Sequence, residues 1–136
     1  MKLRTNDGAA IIEFALVLPI LLLLVFGIIE FGFALYDKEV ITNASREGAR
    51  YGIIIGDPRP TTSQIQNVVT TYLNNIPLVG WDASKATVGV TGAQGASGSD
   101  LTVTVNYQYS FLVLQNLIPG FNKSITLNAQ TLMKLE

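Results

Sequence analysis

Between Ala9 and Tyr36 every residue is apolar or glycine except Glu13, Pro19 and Glu30. As a helix rising about 1.5 Å per residue, this run is roughly 40 Å long. The hydrocarbon core of a bilayer is only about 30 Å thick, so the run spans it with a tilt or with one end emerging. From Tyr36 to Ile55 the pattern becomes one-sided. Val40, Ile41, Ala44, Gly48, Tyr51, Gly52 and Ile55 recur at three- and four-residue spacing, as on one face of a helix. The two patterns join without a break and predict one helix from about Ala9 to about Ile54, half in lipid and half outside. Asp57-Pro58-Arg59-Pro60 stops it, because proline removes donors and biases the residue before it away from helix.

Ala44, Gly48, Gly52 and Gly56 form a row of small residues at steps of four. Ala44, Gly48 and Gly52 are the close-packing face, since such a row admits another backbone or a sheet. Each glycine there costs about 1 kcal/mol of helix propensity. Residues 62–76 predict a short second helix with a threonine or Ser63 as cap and Ile65, Val68, Val69, Tyr72 and Leu73 as its stripe; Pro77 closes it. Thr87 to Thr91, Leu101 to Tyr107 and Ser124 to Leu135 alternate with period two, as half-buried strands do. Between the first two lies GAQGASGSD, read as a flexible hairpin loop; it lacks the lysine and following helix of a phosphate cradle. Phe111 to Phe121 is apolar but irregular, and reads as a strand end followed by a loop covering the sheet edge. The fold class is therefore α+β, with a long N-terminal helix, a short second helix and a three- to four-stranded antiparallel sheet over residues 86–136. So small a sheet cannot bury much by itself. The outer half of the long helix, residues 37–55, supplies the missing layer.

Composition narrows the function. The 136 residues include no cysteine and no histidine, which removes thiolate chemistry, zinc-thiolate sites and every Ser–His or Cys–His arrangement. Neither a catalytic residue nor a cofactor or metal ligand set is assigned, and the chain is not expected to be an enzyme or to take a small-molecule substrate. A net charge of −1 with no basic patch gives no footprint for nucleic acid. Lys2 and Arg4 precede the apolar run and Asp37-Lys38-Glu39 follows it, placing the N-terminus in the cytoplasm and the bulk of the chain outside. A cleaved signal peptide is the competing reading, with Gly32-Phe33-Ala34 as a small-x-small site. Against it stand the length of the run, Glu30 just before that site, and the helical pattern continuing through it.

Gly8, then Ala9-Ala10-Ile11-Ile12, then Glu13-Phe14 resembles a type IV prepilin cleavage site. More specifically, the chain resembles the TadE-like family of pseudopilins, minor pilins of tight-adherence systems. The resemblance rests on GAAIIEFALVLPILLLLVFGIIEFGFALY, on TNASREGARYG at 42–52 and on QTLMKLE at 130–136. It implies a type IV pilin-like fold and a leader of residues 1–8 cut between Gly8 and Ala9 by a prepilin peptidase. It further implies an assembly and transmembrane helix at 9–36 and an extracytoplasmic domain at 37–136. The implied partners are the peptidase, other pilin subunits, an inner-membrane assembly platform and membrane lipid. The implied location is the bacterial inner membrane, single-pass, with an extracellular pilus as the further destination. The major pilins of such systems are much shorter, so the size here favours a minor component that initiates, caps or decorates the filament. A single-pass anchored binding module that does not polymerise is the alternative.

Glu13 is the residue this reading explains best. Ala9 and Glu13 lie four apart on one helix face. Cleavage would create an ammonium on Ala9, and a neighbour's ammonium pairing with Glu13 would select one axial register, since a wrong register strands a buried charge. The plainer reading is an acid that snorkels to the interface. Glu30 marks the outer interface or pairs with a neighbouring subunit. Pro19 frees the carbonyl of Ala15 and allows a helix bend, or is an ordinary membrane proline. Arg46, Glu47 and Arg50 are a solvated face or, as they coincide with the family block, a subunit contact. Trp81 and Tyr51 read as packing residues.

Overall fold

The computed structural model describes residues 6–77 and 80–136. Lys2 and Arg4, which carry the orientation argument, and the first five residues of the expected leader lie outside the described residues. Helix α1 runs from Asn6 to Gly52 and continues through Pro19 without interruption. It ends before Ile54: its last turn closes with Ile53 N–H donating to the Ala49 carbonyl at 3.1 Å. The physical reason is local. Gly52 is a weak helix former and is followed by three β-branched isoleucines, with Pro58 and Pro60 beyond. Gly56 consequently lies outside the helix and does not extend its row of small residues.

Helix α2, Thr62–Asn74, begins with a capping box. Thr61 accepts the Gln64 N–H at 3.3 Å, and the Gln64 side chain accepts the Thr61 N–H at 2.8 Å. The helix stops at Asn74, short of the expected residue 76. Ile65, Val69 and Leu73 are its buried stripe.

Three strands follow: β1 Ala86–Thr91, β2 Asp100–Ser110 and β3 Ser124–Lys134, antiparallel in the order β1-β2-β3. Val90 opposes Val103, and Val105 opposes both Val88 and Ala129. Alternation turns Leu101, Val103, Val105, Tyr107 and Tyr109 to one face, where all are buried. Both helices pack on that face, while Thr104, Asn106, Gln108 and Gln130 occupy the other. One apolar and one polar face is the usual economy of an antiparallel sheet.

Two connections differ from expectation. Residues 92–100 are pinned rather than loose: Leu135 N–H donates to the Ser99 carbonyl at 2.9 Å and Gly98 N–H to the Leu135 carbonyl at 2.8 Å. Gly92 takes φ +82, a left-handed turn conformation suited to glycine. Residues 111–121 do not cover the sheet edge. They form a short helix, α3 Leu114–Leu117, that lies against α1. Tyr109, Phe111 and Phe121 link it to β2 by edge-to-face contacts, with centroids at 5.4 and 4.9 Å.

Together α1, α2 and the sheet make an α+β pilin-like fold. The inner stripe of α1 is Glu30, Ala34, Asp37, Ile41, Ala44, Ser45, Gly48 and Gly52, all buried. The packed layer therefore reaches below the Tyr36/Asp37 boundary drawn from composition and begins at Glu30.

Candidate functional site

The long helix carries two different surfaces. From Gly8 to Ile29 no residue is buried, and only Leu18, Phe26 and Gly27 are partly covered. Its most apolar stretch has a mean hydropathy of 2.8 with none of it inside the molecule, so this helix is long and apolar enough to cross a membrane. A core helix of a soluble domain would be covered. Residues 9–29 at about 1.5 Å each make roughly 31 Å, close to one hydrocarbon thickness.

Gly8 and Ala9 lie within α1 and are exposed, with open space around the position a Cβ would take at Gly8. Glu13 is exposed one helical turn above Ala9. Among the described residues nothing else covers it.

Glu30 sits where the bare helix meets the domain, and only 1% of it is exposed. Its Oε1 accepts the backbone N–H of Val113 and that of Leu114, the latter at 3.3 Å. These are free donors at the start of α3, and a carboxylate is the natural acceptor there. The Tyr109 hydroxyl donates to the Glu30 backbone carbonyl at 3.1 Å. Burial first, then the nearby Glu30 and Asp37 carboxyls, push the Tyr109 phenol up to about 12. Neither sequence reading of Glu30 included these contacts within the head, because both took the surrounding segment as unpacked. A usable signal existed: Glu30, Ala34, Asp37 and Ile41 continue the Ala44–Gly48–Gly52 stripe downward at helical spacing.

Asp37, two turns above Glu30, is 3% exposed. Its Oδ1 is buried without a hydrogen-bond partner. Burial raises its carboxyl from 3.8 to about 6. The sequence reading took Asp37 only as part of the polar segment after the apolar run, although it stands on that same helical stripe.

The small-residue face contacts both α2 and the sheet. A Cβ on Gly48 would strike Val69 and come within 3.4 Å of Val103 Cγ1. One on Gly52 would strike Leu101 and sit 2.8 Å from Ile65 Cδ1. Ala44 is fully buried beside them, and the Ser45 hydroxyl meets the Thr131 hydroxyl at 2.7 Å.

On the opposite side of α1, Arg46 and Arg50 are exposed and Glu47 is half-buried. Arg50 pairs with Glu47 at 3.2 Å, and Glu47, Arg50, Tyr51 and Ile54 line a shallow recess of about 240 Å³. Trp81 stacks on Tyr107 at 4.3 Å and its Nε1–H donates to the Leu73 carbonyl at 2.9 Å, a packing role. Among the described residues, no group of three or more His, Cys, Asp or Glu is placed to hold a metal ion.

This architecture, a bare apolar helix rising into a small α+β head, is a pilin-like fold. Residues 8–50, nearly all of α1, match the family model described as TadE-like protein. No curated protein and no solved structure matches the chain.

Proposed function

We propose that this protein is a minor pilin or pseudopilin of a tight-adherence type pilus, held in the inner membrane by residues 9–29 until it is assembled. The observation that carries the reading is the TadE-like segment itself, which is bare and apolar below Glu30 and the core of the head above it. A signal peptide ending near Ala34 fits poorly. Its removal would take Glu30 and Ala34 out of the packed stripe and leave the Val113 and Leu114 N–H groups without their acceptor.

In this reading a prepilin peptidase cuts between Gly8 and Ala9 on the cytoplasmic side. Because both residues continue the helix, the first turn has to unwind for the scissile bond to be reached. Frayed terminal turns make that inexpensive. The new Ala9 ammonium and Glu13 then lie on one face, available to each other or to a neighbour's counterpart. Other pilin subunits, the inner-membrane assembly platform and membrane lipid are the expected partners.

The test is the intact mass of the protein purified from its native membrane. A chain beginning at Ala9 is expected. One beginning at Met1 overturns the pilin assignment in favour of an anchored extracytoplasmic binding module, and one beginning after Ala34 makes the segment a signal peptide.

A further inference from the structure

Beside the junction of helix and head lies an apolar groove of about 750 Å³. One wall is α1, from Gly27 through Phe31 and Leu35 to Lys38; the other is Phe111, Leu114, Phe121 and the start of β3. This volume falls in the range of single small-ligand sites, about 300–1,000 Å³. We propose that the groove holds one acyl chain of an anionic phospholipid from the leaflet facing the head, with the headgroup phosphate on the Lys38 ammonium.

The groove's lower end, at Gly27 and Phe31, is continuous with the exposed apolar surface of residues 9–29, so its contents are drawn from whatever surrounds that surface. Phe31 is 65% and Leu35 52% exposed, so this apolar wall is left uncovered by the described residues. At the upper end stands Lys38, the one charged residue lining the groove among the described residues. It donates to the Asn128 carbonyl, and an ammonium has three donors, so two remain for a phosphate. Its height also fits. Lys38 lies nine residues beyond Ile29, about 13 Å along the axis, and helical side chains lean about one turn back toward the N-terminus. That brings the ammonium to roughly 8 Å above the hydrocarbon, within or just above the headgroup layer.

A second observation concerns Gly27. Mid-helix glycine is unfavourable by about 1 kcal/mol relative to alanine. Gly48 and Gly52 are explained by what a Cβ would strike, but at Gly27 a Cβ would meet nothing within 4 Å. Gly27 borders the lower end of the groove. The absence of a side chain keeps that end open.

The inference rests on membrane anchorage and is independent of pilus assembly. The experiment is native mass spectrometry of the full chain, purified in detergent and supplied with phosphatidylglycerol or phosphatidylcholine. The wild type should retain one phosphatidylglycerol, roughly tenfold in preference to phosphatidylcholine. Gly27→Phe fills the groove and should lose both lipids. Lys38→Gln should keep the chain site and lose the preference. Gly32→Phe is the control, because Gly32 also has open space around it but lies outside the groove; it should behave as wild type. Equal loss in Gly27→Phe and Gly32→Phe, or no preference in the wild type, overturns the proposal. Should Gly27→Phe fold poorly, a phospholipid carrying a photoreactive tail decides on the wild type. Adducts at Phe31 and Phe121 support the groove. Adducts confined to residues 9–26, or displacement of the lipid by a second copy's helix cross-linked at Phe121, overturn it.

Discussion

The Glu30 carboxylate accepts the backbone N–H of Leu114, 84 residues further along the chain, at 3.3 Å. The same oxygen accepts Val113 N–H, while Oε2 is buried without a partner. One side chain thus ties the loop between β2 and β3 to the long helix where its bare apolar stretch ends. Glu30→Ala should strand two donors, and a buried unsatisfied group costs about 1–3 kcal/mol. Relief of the unpartnered Oε2 offsets part of this, so a net loss of about 2 kcal/mol is expected. Glu30→Gln, which keeps an acceptor, should lose less. Thermal unfolding of the full chain in detergent, followed by near-ultraviolet ellipticity of the Trp81–Tyr107 stack, measures both. An unchanged melting temperature in Glu30→Ala would remove the tie from the stabilising interactions.

Gly48 has no room for a side chain, since a Cβ there would strike Val69 on α2. Gly48→Leu should overpack the α1–α2–β2 contact and destabilise the head by about 1–3 kcal/mol. Gly48→Ala should already be unfavourable despite alanine's better helix propensity. If Gly48→Leu melts like the wild type, α2 does not press on this face in solution.

Asp37 carries a pH signature. Its folded value of about 6 stands above the ordinary 3.8. The folded state therefore holds more protons between those values, and stability from this group falls as pH rises from about 4 to about 6, then stays flat. A shift of two units corresponds to about 3 kcal/mol. Asp37→Asn should flatten that dependence and leave the head more stable at pH 7. Melting curves of both proteins from pH 4 to pH 8 give the answer; parallel curves would mean that Asp37 is hydrated.

Arg46 and Arg50 separate a solvated face from a contact surface. The Arg50–Glu47 pair is exposed, and exposed ion pairs contribute at most about 1 kcal/mol. Arg46→Glu with Arg50→Glu should leave the melting temperature nearly unchanged. If the face meets a neighbouring subunit, co-purification with other pilin subunits should fall severalfold. Unchanged co-purification makes the face merely solvated.

Glu13→Ala distinguishes assembly from anchoring. It removes a charge from the apolar span, a relief of at most about 2.5–3.5 kcal/mol, so insertion and cleavage should persist. Incorporation into sheared extracellular filaments, relative to the membrane pool, should collapse. Glu13→Asp should retain part of it. Equal ratios for wild type and Glu13→Ala would reduce Glu13 to an interfacial acid.

The long helix, the second helix and all three strands were legible as periodicity, because a side chain's face follows from its position modulo 3.6 or 2. The small-residue face was legible for the same reason, as Ala44, Gly48 and Gly52 repeat at one helical step. Their neighbours were not: nothing local to Gly48 names Val69 or Val103. The lower limit of the packed head escaped altogether, since hydropathy treats residues 9–36 as one run. Glu30 looked like a charge needing an interface until donors from residues 113 and 114 were brought to it. Asp37 looked like the first polar residue past the membrane until the sheet closed over it. Patterns along the chain record what each segment prefers by itself, whereas burial of a carboxyl depends on segments that meet only when the chain has folded.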